Sequence, residues 1–152
     1  MQTTAVATIR RLHEHRMWSR RSLCKRCECL TEKEMETAFP IGQGCVWATL
    51  LHLHAADFVW LEALNGNESP LLPGDLPGRL PGNQLGADPI AGFRDLMHQW
   101  RDLDDRWLRY LLQIDDSTVS RPVAKVSTSS GAGVRHVTPA IDVLLHVCTH
   151  SQ

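Results

Sequence analysis

No segment of the sequence has the ~20 uninterrupted apolar residues that crossing a bilayer requires, so a membrane-spanning helix is not expected. The first residues also lack an apolar run, which argues against a secretory leader and makes the cytoplasm the expected compartment. Surplus charge is missing too. A formal net charge of −1 argues against general nucleic-acid binding, which draws its affinity from a strong excess of cations. Nor do the cysteines pair off. There are five, Cys24, Cys27, Cys29, Cys45 and Cys148, an odd number without the spacing of a disulfide framework, so reduced thiols are expected. Cys24, Cys27 and Cys29 stand like half of a zinc site, but no second ligand pair follows at similar spacing. On a helix Cys24 and Cys27 share a face with Leu23 and Leu30, and they are expected to be small buried residues.

What remains is the composition of an ordinary globular chain. With 152 residues, 43% hydrophobic and 22% charged, it is expected to form one domain over 1–152 with a proper core. The charge is unevenly placed. Arg10, Arg11, Arg16, Arg20, Arg21, Lys25 and Arg26 crowd the first helical segment and are expected to form a solvated face. That segment, Thr4 to Leu30, contains no Gly or Pro and carries Ile9, Leu12, Ser19, Leu23, Cys27 and Leu30 as its expected inner stripe. Thr31 and Glu34 then make a capping box for a short helical turn.

Gly44 to Leu64 is apolar on nearly all sides, which predicts a helix buried within the fold. It nevertheless carries His52, His54 and Asp57. At 100° per residue His52 groups with Thr49, Ala56, Val59 and Trp60, while His54 points about 200° away, so the two cannot serve one site. From Asn65 to Ala87 turn formers dominate, with Pro73-Gly74, Pro77-Gly78 and Pro81-Gly82 recurring, and a crossover without regular structure is expected. Asp88-Pro89 predicts the next helix start. Ile90, Phe93, Leu96, Met97, Trp100, Leu103, Trp107, Leu108, Leu111 and Ile114 then recur at three and four, with His98, Arg101, Asp102, Asp105 and Arg109 opposite. Thr118 to Val137 reads as a hairpin through Val119, Val123, Val126, the turn from Ser127 to Gly133, and Val134 to Val137, His136 being an ordinary strand residue. Thr138 and Pro139 predict the N-cap and first residue of a last helix.

The fold class expected is therefore all-α, a four-helix bundle with long crossover connectors and a small β-hairpin before the last helix. Bundles build metal sites from inward side chains on facing helices. His146 and His150, four apart, lie on one helical face and can chelate one ion, and His52 could complete three ligands from another helix. Asp142, one turn before His146, could orient its ring. The other open reading is satisfied core histidines.

At these residues the chain resembles the DinB/YfiT-like superfamily of bacterial metal-binding bundles. Three passages carry the likeness, which covers nearly the whole length: Leu12 to Leu30 with Trp18; Leu51 to Leu61, with His52, Ala56, Asp57 and Trp60 similar to the family's histidine-x-x-x-Ala-Asp-x-x-Trp helix; and Leu145 to Gln152, with His146 and His150. By that resemblance His52 is the first metal ligand and His54 is not. The family's last helix usually reads histidine, three residues, histidine, then arginine-glycine-glutamine. The best register makes His150 the first of that pair and puts its partner beyond Gln152, so either the natural chain continues or His146 serves instead, and His146 ranks behind His52 and His150.

The resemblance implies a divalent metal (zinc, nickel or iron) on a histidine triad, and a thiol S-transferase or hydrolase acting on a small-molecule substrate, with a low-molecular-weight thiol as cofactor and a homodimer as assembly. Asp57 and Asp142 are the candidate general bases, each expected to be structural or to orient a ligand instead. Two rivals stand beside this. One is a non-catalytic metal-binding or metal-stabilised dimer; the other is nucleic-acid binding through the basic first helix, which predicts steeply salt-dependent affinity.

Overall fold

The computed structural model describes every residue except 1–3, 129–132 and 151–152. The chain is mostly helical: α1 (Ala5–Cys27), α2 (Glu32–Met35), α3 (Val46–Leu64), α4 (Phe93–Gln113), α5 (Asp116–Ser120) and α6 (Ala140–His150), with strands β1 (Pro122–Val126) and β2 (Arg135–Pro139) before α6. The strands form the expected antiparallel hairpin, Val123 opposite Thr138 and Lys125 opposite His136. Thr118 and Val119, expected in its first strand, belong instead to α5, because the Asp115 side chain accepts from the Thr118 amide and caps a helical turn there. Part of its predicted turn falls on 129–132 and lies outside the described residues. Among the described residues no helix is long and apolar enough to cross a membrane.

Apolar on most sides, α3 is the element the others surround: it packs on α4, α6 and β1, while α1 lies against α5 and α6. Leu50, Leu61 and Leu64 of α3, Leu96 and Trp107 of α4, and Val143 and Leu144 of α6 are fully buried, each such side chain contributing about 1.5–3 kcal/mol through removal from water. Local signals agree where they are strong. Thr31 accepts from the Glu34 amide and Glu34 returns a bond to the Thr31 amide, so the capping box closes.

Other local expectations fail for identifiable reasons. The solvated-arginine expectation fails at two positions: Arg16 and Arg20 are buried, because Asp57 of α3 and Asp104 of α4 meet them inside the fold. The inner stripe of α1 is consequently Val6, Ile9, His13, Arg16, Met17, Arg20, Cys24 and Cys27, and turning these inward leaves Leu12, Leu23 and Leu30 exposed. Cys24 and Cys27 are buried as expected. Asp88 does not start a helix. It has φ +54, the Gln84 side chain holds the Ile90 amide at 2.7 Å, and α4 starts after Gly92 with Asp95 accepting from the Ala91 amide. Thr138 and Pro139 do not open α6 either. They finish β2, and Ala140 donates back to the Arg121 carbonyl at 2.9 Å. Of the predicted α4 stripe, only Leu108 is exposed.

Candidate metal centre

The three histidines singled out in the sequence come together where α3 meets α6. The His52 and His150 ring centres are 5.3 Å apart at 62°, and those of His146 and His150 are 5.3 Å apart at 42°. Helical geometry explains the second pair, since residues four apart stack on one face. The first is tertiary and depends on α3 packing against α6. The edge of Trp60 meets His146 at 5.3 Å, and Lys125 of β1 lies over the Trp60 ring at 5.0 Å. Sequence reasoning missed Lys125, which hairpin pairing delivers to a cluster formed by two helices.

His52 has its orientation fixed. Its Nδ1 is 2.8 Å from the Pro81 carbonyl oxygen, and since a carbonyl can only accept, Nδ1 carries the hydrogen. A neutral His52 therefore presents Nε2 as its lone pair, in the way ligating histidines are held by an outer hydrogen bond. His150 is held below the ordinary histidine pKa, first by desolvation and then by its neighbours His52 and His146. Desolvation likewise lowers the Lys125 ammonium.

Whether these residues suit a metal is decided by donor chemistry and spacing. Two imidazoles on one ion, each bound through nitrogen at ~2.0–2.1 Å, have ring centres on the order of 5 Å apart, and both pairs satisfy this. Among the described residues no three histidine, cysteine or acidic side chains are drawn together tightly enough to hold an ion as they stand. The rings are adjacent and chemically suited, and binding would require them to turn inward.

The other singled-out residues go elsewhere. Asp57 accepts from Arg16 at 2.6 Å, Arg20 at 3.2 Å and the Trp100 indole at 3.2 Å, a structural role rather than that of a base. Asp142 is exposed, with no bond to His146 among the described residues. His54 is buried against Trp100 with ring centres 5.4 Å apart, and burial lowers its pKa to about 4. His98 is on the surface, and His136 is an exposed strand residue. Grooves of about 830 and 570 Å³, lined among others by Trp47, Phe93 and Arg94, share no residue with the histidine cluster. Neither brings histidines together, so neither offers the donor set of the cluster.

No curated protein matches the chain. A family model described as the DinB superfamily matches residues 17–152, a span that takes in all three histidines, Asp57, Trp60 and the loop that holds His52. The helices carrying those residues and the family match agree, and the chain belongs to the DinB superfamily.

Proposed function

We propose that His52, His146 and His150 hold a divalent metal ion with coordination positions left open, and that the protein is a metal-dependent enzyme of thiol-transfer or hydrolytic type. The observation that carries the reading is the meeting of imidazoles from α3 and α6 at 5.3 Å with His52 already committed through Nδ1 to a carbonyl. The reading takes α1, α3, α4 and α6 as the four members of a bundle, with the site between the second and last long helices. It includes a small-molecule substrate, a low-molecular-weight thiol and a cytoplasmic homodimer.

An ion on three neutral imidazoles would supply Lewis acidity, lowering the pKa of bound water or thiol. The chain itself does the rest. His52 Nε2 and the His146 and His150 rings supply neutral nitrogen donors. Trp60 walls the His146 side, and the Lys125 ammonium over that ring offers a positive charge to an anionic group entering from the hairpin side. Zinc, nickel and iron all suit imidazole.

Elemental analysis of the purified protein, supplied with each metal in turn, tests this. About one ion per chain is expected for a three-histidine site, with most of it lost in His52→Ala and in His150→Ala while circular dichroism still reports the helices. Wild-type protein that retains no divalent ion sinks the reading. Loss of a thiol in the presence of an electrophile, seen only with metal, separates an enzyme from a closed structural site; binding without turnover favours the non-catalytic rival.

A further inference from the structure

The segment joining α3 to α4 has no helix or strand, yet its middle is tightly organised around one buried carboxylate. Asp75, 7% exposed, accepts three N–H bonds: the Gly82 amide at 2.7 Å, the Gln84 amide at 2.9 Å and the Gln84 side chain at 2.7 Å. Bonds to an ionised carboxylate are the strong ones, and three of them fix a loop. Gly82, at φ +86, lies directly on α3. A Cβ there would fall 2.6 Å from the Leu51 oxygen and 2.7 Å from the His52 nitrogen, so glycine is what lets the loop touch the helix at the histidine.

The Gly82 N–H held by Asp75 and the Pro81 C=O held by His52 belong to the same peptide unit. That unit is a rigid plane whose N–H and C=O point in opposite directions. Fixing the N–H end on Asp75 therefore aims the carbonyl end at His52 Nδ1, 2.8 Å away. Charge on the carboxylate also polarises the peptide and strengthens the carbonyl as an acceptor. In metal sites a carboxylate often holds the ligating imidazole directly; here one peptide plane stands between them.

We propose that Asp75 is a positioning residue for His52: through the Pro81–Gly82 peptide it holds the ring as the Nδ1–H tautomer and keeps Nε2 free as the donor. The ligand role of Nε2 rests on the metal-centre reading; the tautomer does not.

The test uses the full chain, ¹⁵N-labelled and metal-free, with zinc as the probe ion. Ring nitrogen shifts should show His52 as the Nδ1–H tautomer in the wild type and as a mixture or the Nε2–H form in Asp75→Asn. Zinc affinity, by competition with a coloured chelator, should fall about 10–100-fold, the usual effect of losing an outer-shell partner. Asn83→Ala is the control. It removes other bonds of the same loop, to Leu76, Leu80 and Leu85, and should leave the tautomer unchanged. An Nε2–H tautomer in the wild type overturns the proposal, as does a folded Asp75→Asn with unaltered tautomer, or Asn83→Ala reproducing the full effect. If Asp75→Asn does not fold, the wild-type tautomer decides: Nε2–H overturns, Nδ1–H supports. A wild-type Nδ1–H tautomer lost in Asp75→Asn, without zinc binding by either, upholds the relay and removes the metal reading.

Discussion

Asp57→Asn is expected to destabilise the protein by about 3–5 kcal/mol, the range for removing one partner of a buried ion pair, and to lower its melting temperature by roughly 10–15 °C for a chain of this size. The carboxylate is 3% exposed and lies among Arg16 at 1%, Arg20 at 5% and Asp104 at 3%. Arg16 donates to Asp57 at 2.6 Å, while Arg20 bridges Asp57 and Asp104. Arg16 Nε and Nη2 already lack hydrogen-bond partners among the described residues, and its guanidinium lies over the Trp107 ring at 5.0 Å. Asparagine matches the shape but not the charge, so two buried cations would face one remaining anion. Arg21→Ala is the contrast. Arg21 also reaches Asp104, at 3.2 Å, but its side chain is 62% exposed, and the loss should stay below about 1 kcal/mol, as for surface pairs. Urea and thermal unfolding measure both. A cost for Asp57→Asn as small as that of Arg21→Ala would mean that the network is not what joins α1, α3 and α4.

This network bears on the site as well. Asp57 follows His52 by five residues, which puts the two about 140° apart around α3. Anchoring one face of the helix to α1 and α4 fixes the rotation that presents the other face to α6. Loosening the network should therefore blunt the metal retention proposed for the histidine cluster in addition to stability.

Why the histidines were legible and the arginines were not follows from what a single sequence encodes. His146 and His150 share a face because of a spacing fixed by the helix itself, and His52 stood out because an ionisable group in an apolar helix demands a partner. Even so, that His52 meets His150 is a tertiary fact, which apolar periodicity made plausible but could not place. Arg16 and Arg20 misled the reading because a hydrophobic stripe counts an arginine as outward, and nothing within α1 announces that Asp57 and Asp104 arrive from 37 and 84 residues further along. The same counting put Leu12 and Leu23 inside. Asp88-Pro89 and Thr138-Pro139 are good start signals that lost to longer-range bonds, from Gln84 to Ile90 and from Ala140 to Arg121. The Pro-Gly connector has no regular structure, as its turn formers imply, but its organisation depends on Asp75, whose partners lie seven and nine residues ahead in no periodic pattern.

His13 supplies the second large effect, and its sign is opposite to that of a histidine paired with an acid. The ring is 0% exposed, with Nε2 3.1 Å from the Leu144 carbonyl oxygen, so Nε2 carries the hydrogen and donates. Its face lies 5.0 Å from Trp107. Burial first, and the Arg16 charge next, push its pKa from 6.5 down to about 3. The folded ring stays neutral until about pH 3, while the unfolded chain takes up that proton near 6.5. Between those values the unfolded state binds more protons, so stability must fall as the pH falls, by about 1.4 kcal/mol per unit. The contribution is complete above 6.5, amounts to on the order of 4–5 kcal/mol across the window, and is gone below 3. His54, lowered to about 4 by its own burial, adds a loss of the same sign. In His13→Gln the side-chain amide can still donate to Leu144 but cannot titrate. Urea unfolding from pH 7.5 to 4 should show the variant somewhat less stable at the top and equal to or better than wild type at the bottom. Parallel curves would mean that His13 titrates normally in the fold. Because the Leu144 carbonyl belongs to α6, two residues before His146, protonating His13 pulls on the helix that carries two of the three site histidines, and amide exchange along α6 should rise early in the acid transition.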